Sequence, residues 1–384
     1  MSRTPTNAPP RLPSTGCRAP DPGPRTTDHG PANVKYPKSV TRHSLHRFTV
    51  AAGLLAALLA GLPVGAAQAP PAPTRERINR IGSDLFSPTP HATEAIAELK
   101  NILATEPGSA EAHLLLGLAY RIEGKPELLG EAVAELRQAL ALNPEIGLAR
   151  LSLARIYLDM ARPARARDEL TTALERAPNQ PQLLALLGEA ERQLGNTARA
   201  IELTRQALAV DPSTAQARYY LGLALTDAGQ HAAAIKELQQ VVQSGVNAAE
   251  ANLGLGSAYL AAGRSKEAVG ALREAVRLDP SRPEGHVWLA RAYRVNGQLA
   301  EAAKELASAA PSAESLTTLY TNVQVDYHLE EGLIRMAQGR LAAAAAAFEK
   351  VLALDGTNAA AREKLAEVAK RRQQPAGKTT GKDK

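Results

Sequence analysis

From about residue 76 onward, apolar side chains fall in short stretches with helical spacing, and Gly or Pro separates each stretch from the next. The stretches come in pairs, and the pairs repeat. Asn143-Pro144, Ala177-Pro178, Asp211-Pro212 and Asp279-Pro280 stand 34, 34 and 68 residues apart, with Val246 at the missing mark. Between marks the order is constant: Leu followed by Gly or Ala, an aromatic three residues on, Gly four later and Ala five later. Each unit is therefore predicted to hold two amphipathic helices.

Every recurring residue has a mechanical reason to recur. Gly117, Ala154, Gly188, Gly222, Gly256 and Ala290 let the two helices of a unit approach closely. Tyr120, Tyr157, Tyr259 and Tyr293 fill the space towards the neighbouring unit. Gly124, Gly195, Gly229, Gly263 and Gly297 lie just past the first helix, where a left-handed residue ends it. Ala132, Ala166, Ala200, Ala234, Ala268 and Ala302 place a small side chain where the second helix crosses the first, and proline then closes the unit. A lone helix pair cannot bury its apolar stripe, so stability must come from stacking neighbours.

This pattern resembles the tetratricopeptide repeat. The resemblance implies an all-α fold, a right-handed α-solenoid of helix hairpins with a C-terminal capping helix. Within a solenoid spanning 68–374, a degenerate unit is expected at 76–107. Repeats are expected near 110–144, 147–178, 181–212, 215–246, 249–280, 283–311 and 325–356, with a cap at 357–373. The spacing stretches by eight residues around 308–324, which fits either a longer helix or a kink. The first full unit carries three extra residues in its turn, Lys125 to Gly130.

Composition adds that all-helical reading's counterpart in charge. The 384 residues are 45% hydrophobic and only 3% aromatic, with a single cysteine, Cys17, so disulfide frameworks and cysteine-based zinc modules are excluded. The formal charge of +6 belongs to the first 67 residues, which hold eight basic and two acidic side chains. That leaves 37 of the 45 bases and 37 of the 39 acids for the repeats, which offers no basic excess for nucleic acid.

The N-terminal region reads as an export signal. Residues 1–46 lack periodicity and read as a disordered extension. At 47–67 a basic flank, an apolar run from about Phe48 and a small-residue end follow the signal-peptide plan, with cleavage expected near Ala67. An uncleaved anchor also fits this stretch. Either way the repeats lie outside the cytoplasm, periplasmic or secreted. Residues 375–384 read as a disordered Lys-rich tail.

A search for chemistry yields no catalytic residue, no metal site and no small-molecule cofactor motif: HExxH, a Gly-rich phosphate loop and a nucleophile elbow are all missing. His113, His286 and His328 share one repeat position in separate units, which fits helix packing better than a metal site.

What remains is a surface. The resemblance implies that the first helix of each unit lines a concave groove for a protein or peptide partner. Carried over by repeat position, that groove holds Arg121, Gln216 and a set of candidate contacts: Arg155, Asp159, Glu189, Arg192, Tyr219, Leu223, Asp227, Arg291 and Arg294. Arginine forks suit carboxylates, and aromatic side chains supply apolar anchoring area. Neither the Lys and Asn pair of chaperone-tail-binding members nor the asparagine ladder of glycosyltransferase-associated arrays occurs at the matching positions. The expected role is a non-catalytic interaction scaffold or assembly factor of the cell envelope. The alternative is a structural subunit of an exopolysaccharide-export or secretion machine.

Overall fold

The computed structural model describes residues 72–87, 89–314 and 321–373. The N-terminal extension (1–46), the signal or anchor (47–67) and the tail (375–384) lie outside the described residues. The described residues form seventeen α-helices and no strand.

Two short helices, α1 (Ala72–Leu85) and α2 (Ala92–Thr105), come first. Seven hairpins follow: α3 (Ala110–Glu123) with α4 (Leu129–Leu142), α5 (Gly147–Asp159) with α6 (Pro163–Arg176), and α7 (Pro181–Gln193) with α8 (Thr197–Val210). Next are α9 (Ala215–Asp227) with α10 (His231–Ser244), α11 (Ala248–Ala261) with α12 (Ser265–Leu278), and α13 (Pro283–Val295) with α14 (Leu299–Glu314). The series ends with α15 (Thr321–Ala337), α16 (Leu341–Leu354) and α17 (Ala359–Gln373).

The two helices of a hairpin are built differently. In α11, every residue from Glu250 to Leu260 is buried. Its partner α12 buries only Ala268, Leu272 and Ala275, a narrow stripe on an otherwise charged helix. The close approach is tight: a methyl group on Gly117 would stand 2.7 Å from Leu136 Cγ and 3.0 Å from the Ala132 carbonyl oxygen. Leu136, Leu170, Leu238 and Leu272 are fully buried at these crossings, each contributing about 2 kcal/mol of apolar burial.

First helices end in a left-handed residue. Gly195 (φ 88°) is typical, and the amide of the next residue closes back on the chain, as Asn196 N donates to Glu191 O at 2.8 Å. The α5–α6 unit has Ala161 at this place, with φ 57°. In the first hairpin the three extra residues form a 3-10 turn, Pro126–Leu128, ahead of α4.

Contact runs in one chain order. Each helix packs on the next, and first helices also pack on the first helices of neighbouring units from α1 through to α15, while no comparable packing joins second helices. First helices therefore form the inner layer of a curved stack and second helices its outer layer. One apolar cluster extends from Ile78 to Ala309 and takes in Tyr327 and Ile334; a smaller one, built on Val325, Leu329, Phe348, Val351 and Val368, belongs to α15–α17. The stretched spacing falls between α14 and α15, where 315–320 lie outside the described residues. Among the described residues no helix is long and apolar enough to cross a membrane.

Candidate functional site

The inner layer carries an uneven share of polar groups. Buried charged side chains in the described residues all sit on first helices: Arg155 and Asp159 on α5, Glu189, Glu191 and Arg192 on α7, Glu250 on α11, Arg291 on α13, Asp326 and Glu330 on α15. Among the described residues, second helices bury apolar side chains and one threonine, Thr204, instead. A buried charge costs several kcal/mol unless paired, so the partners of these groups decide what the face can do.

Two arginines are fully neutralised. Arg192, 1% exposed, donates from Nε and Nη2 to both oxygens of Glu189 at 2.8 and 2.9 Å, and from Nη1 to Asp227 at 2.7 Å. Burial opposes its charge, but Glu189 and then Asp227 more than offset that, holding its pKa above the ordinary arginine value. Arg291, 2% exposed, donates from Nε to Glu330 at 2.6 Å and from Nη2 to Asp326 at 3.4 Å, while Arg294 Nε reaches the other Glu330 oxygen at 2.8 Å. Arg291 also lies over the Trp288 ring, 4.3 Å from its centre. Between these groups, Arg282 Nη2 donates to Glu250 at 3.1 Å.

A third arginine is placed differently. Arg155, 7% exposed, has one hydrogen bond, a long one from Nη2 to Gln216 Oε1 at 3.4 Å, and Gln216 Nε2 in turn donates to the Tyr220 hydroxyl at 3.1 Å. Its Nε has no partner among the described residues. Burial and the like charge of Arg121 bring its pKa down to about 10, so it remains a cation at neutral pH.

The sequence-derived candidates are thus brought together in groups. Glu189, Arg192 and Asp227 form one, Arg291 and Arg294 another, and Arg155 and Asp159 share one helix turn on α5. Tyr219 and Leu223 face the next inner helix: a methyl on Gly254 would meet Tyr219 Cε2 at 2.9 Å and Leu223 Cδ2 at 3.5 Å. They serve packing between units in addition to lining the face. Of the set, Asp227 and Arg294 remain partly exposed.

Asp326 and Glu330 were missed by sequence reasoning. Arg192 pairs with Asp227 of the next unit, at the neighbouring repeat position, whereas Asp326 and Glu330 lie beyond the stretched spacing, where the 34-residue period no longer carries positions over.

The histidines of the shared repeat position are tied down. His113 Nδ1 meets Glu135 at 2.5 Å and Nε2 meets the Pro107 carbonyl at 3.1 Å; His286 meets Glu305 at 2.9 Å and the Pro280 carbonyl at 3.1 Å. Arg218 takes the same place in α9, reaching Glu237 at 2.8 Å and the Pro212 carbonyl at 2.9 Å. His328 pairs within its own helix with Glu331. Among the described residues no three or more His, Cys, Asp or Glu side chains converge as a metal ion requires.

Models of the tetratricopeptide repeat match residues 128–190, 185–250, 227–283, 253–315 and 329–377. No curated protein matches the chain significantly in sequence. Among solved structures, a tetratricopeptide repeat protein from Parabacteroides merdae is 19% identical over 68% of this chain and 98% of its own, with a TM-score of 0.50. The Cut9–Hcn1 hetero-tetramer of the APC/C aligns over 76% of this chain and 48% of that one, at 17% identity and a TM-score of 0.53. The type IV pilus biogenesis factor PilW aligns over 59% of this chain and 99% of its own, at 21% identity and a TM-score of 0.48. At these identities the likeness is one of fold. With the repeat models covering 128–315 and 329–377, the chain belongs to the tetratricopeptide repeat family.

Proposed function

We propose that this protein is a non-catalytic interaction scaffold or assembly factor of the cell envelope, engaging a segment of a protein partner along its inner helical face. One observation carries the reading: among the described residues, charged groups are buried along the inner layer alone. Stacking needs only the apolar and small residues that the outer layer uses. Buried ion pairs add little net stability over apolar packing of the same volume, so a column of them is better explained by recognition. A preformed face binds without a large ordering cost to itself. The sequence of 47–67 supports export.

The test places a photo-crosslinking amino acid at Asp227 or Arg294, at the open margin of the inner face, and at Arg205 or Arg273, exposed on the outer helices. Crosslinks from intact cells are expected at the inner positions. Crosslinks confined to the outer positions would instead favour a structural subunit held by its convex surface.

A further inference from the structure

One end of the stack carries a charge that the rest of the repeats lacks. Residues 368–384 hold six bases, Lys370, Arg371, Arg372, Lys378, Lys382 and Lys384, against one acid, Asp383, a net +5. The 37 bases and 37 acids beyond residue 67 then leave 31 and 36 for residues 68–367, a net −5. The described part of this basic stretch is the last turn of α17, where Lys370, Arg371 and Arg372 are all exposed. Residues 374–384 lie outside the described residues and enter by their charges alone.

The carboxylates of α17 do not answer this charge. Lys364 takes Glu363 at 3.4 Å and Glu367 at 2.9 Å, and Glu367 also takes Arg371 at 2.6 Å. Among the described residues, Lys370 and Arg372 have no carboxylate within ion-pairing distance. The helix dipole favours cations only within its last turn, so it leaves Lys378, Lys382 and Lys384 unexplained. A solvated cap needs polar groups of either sign, as the earlier turns of α17 show with Arg362, Glu363, Lys364 and Glu367. This end is of one sign.

We infer that the last turn of α17, with the lysines that follow it, is a docking surface for anionic lipid headgroups. Anionic membranes hold clusters of about four to eight bases through charge, without a shaped site. α17 is the last described helix and packs on α16, so a flat surface can meet it end-on. Charges more than about 10 Å apart are largely screened at ~0.1 M salt. The negative units farther along the stack therefore scarcely oppose that contact. Single-stranded nucleic acid is the poorer match, because it draws on aromatic stacking and residues 359–384 contain no aromatic side chain. The surface lies apart from the inner helical face and stands whether or not a partner segment binds there.

The test mixes the whole chain with two kinds of vesicle at ~0.1 M salt. One is pure phosphatidylcholine, the other seven parts phosphatidylcholine to three of phosphatidylglycerol. The apolar run at 47–67 meets both kinds alike, so the readout is the ratio of the two partition coefficients. Lys370→Gln, Arg371→Gln and Arg372→Gln combined should lower that ratio about 100-fold, and Glu367 keeps Lys364 in this variant. Arg205→Gln, Lys236→Gln and Arg273→Gln combined remove the same charge from exposed outer-helix positions and should leave the ratio unchanged. Lys370→Arg, Arg371→Lys and Arg372→Lys combined should also leave it unchanged, since the surface requires charge and not shape. An equal fall in the two glutamine variants, or none in the first, overturns the assignment.

A second arm does not depend on the N-terminal bases. A photo-crosslinking amino acid at Gln373 should label lipid in the anionic vesicles and not in the neutral ones, and one at Arg205 should label neither. No lipid labelling at Gln373, or equal labelling at Arg205, overturns the proposal. So does tighter binding of an oligothymidylate of about 20 nucleotides than of the anionic vesicles.

Discussion

Arg291 on α13 and Glu330 on α15 are joined by a 2.6 Å hydrogen bond between two side chains that are almost wholly buried. Their helices belong to units on either side of the stretched spacing, where the larger apolar cluster gives way to the smaller one. The stack is thus fastened at this point by charge, as it also is between α7 and α9 by Arg192 and Asp227.

Acid should loosen this junction. Burial tends to raise the Glu330 pKa, but Arg291 and Arg294 outweigh it and hold the carboxyl below its ordinary 4.5. A depressed folded-state pKa contributes stability that is complete above the unfolded value and is lost as pH falls through the folded one. Amide protection of α15–α17 should therefore decline as pH drops below 4.5, measured by hydrogen exchange. At neutral pH, Glu330→Gln should cost the same block about 3–5 kcal/mol by leaving buried cations unpaired, and its remaining protection should respond less to acid.

Arg192 on α7 ties its own helix to α9 through Asp227. Its guanidinium satisfies Glu189 fully and Asp227 in part. Arg192→Met would leave the 2%-exposed Glu189 without its cation, a loss of about 3–5 kcal/mol. Local exchange at α7–α9 is the measurement of choice, since a repeat array need not unfold in one step.

The contrast shows what the sequence makes legible. Small residues such as Gly117, and the closing Gly195 and Gly229, repeat at a fixed period because each serves a contact within its own hairpin, so spacing alone exposes them. The pairing of Arg192 with Asp227 crosses between hairpins and depends on how one unit is rotated over the next. Its 35-residue interval follows from that stacking geometry, which no single unit encodes. Tyr219 was readable as an inner-face residue, while its seat against Gly254 depends on the same rotation.

His286 offers a test of a structural device. Both its ring nitrogens face acceptors, the Glu305 carboxylate and the Pro280 carbonyl, and Arg218 makes the equivalent pair of contacts two units earlier. His286→Arg should therefore be close to neutral. His286→Leu leaves the carbonyl and the carboxylate without their donor and should cost about 1–3 kcal/mol. Urea melts of the two variants, followed by the fluorescence of Trp288 on the same helix, give the comparison directly. Equal losses would mean that ring packing, and not the paired contacts, is what the position requires.

Ala161 is the final case, and it pits folded-state strain against unfolded-state entropy. It occupies the left-handed position that glycine fills in the other hairpins, at φ 57°, and the chain beyond it still closes, with Arg162 N donating to Tyr157 O at 2.7 Å. An L-residue in this region pays roughly 1–2 kcal/mol, whereas adding a glycine loosens the unfolded chain by about 0.4–1 kcal/mol. The first effect is the larger, so Ala161→Gly should stabilise the α5–α6 hairpin by about 0.5–1 kcal/mol. The reciprocal change, Gly229→Ala at φ 74°, should destabilise α9–α10 by a similar amount. Hydrogen exchange of the two hairpins reads both effects. If Ala161→Gly weakens the hairpin, entropy outweighs strain at this turn, and the reciprocal variant should then gain stability.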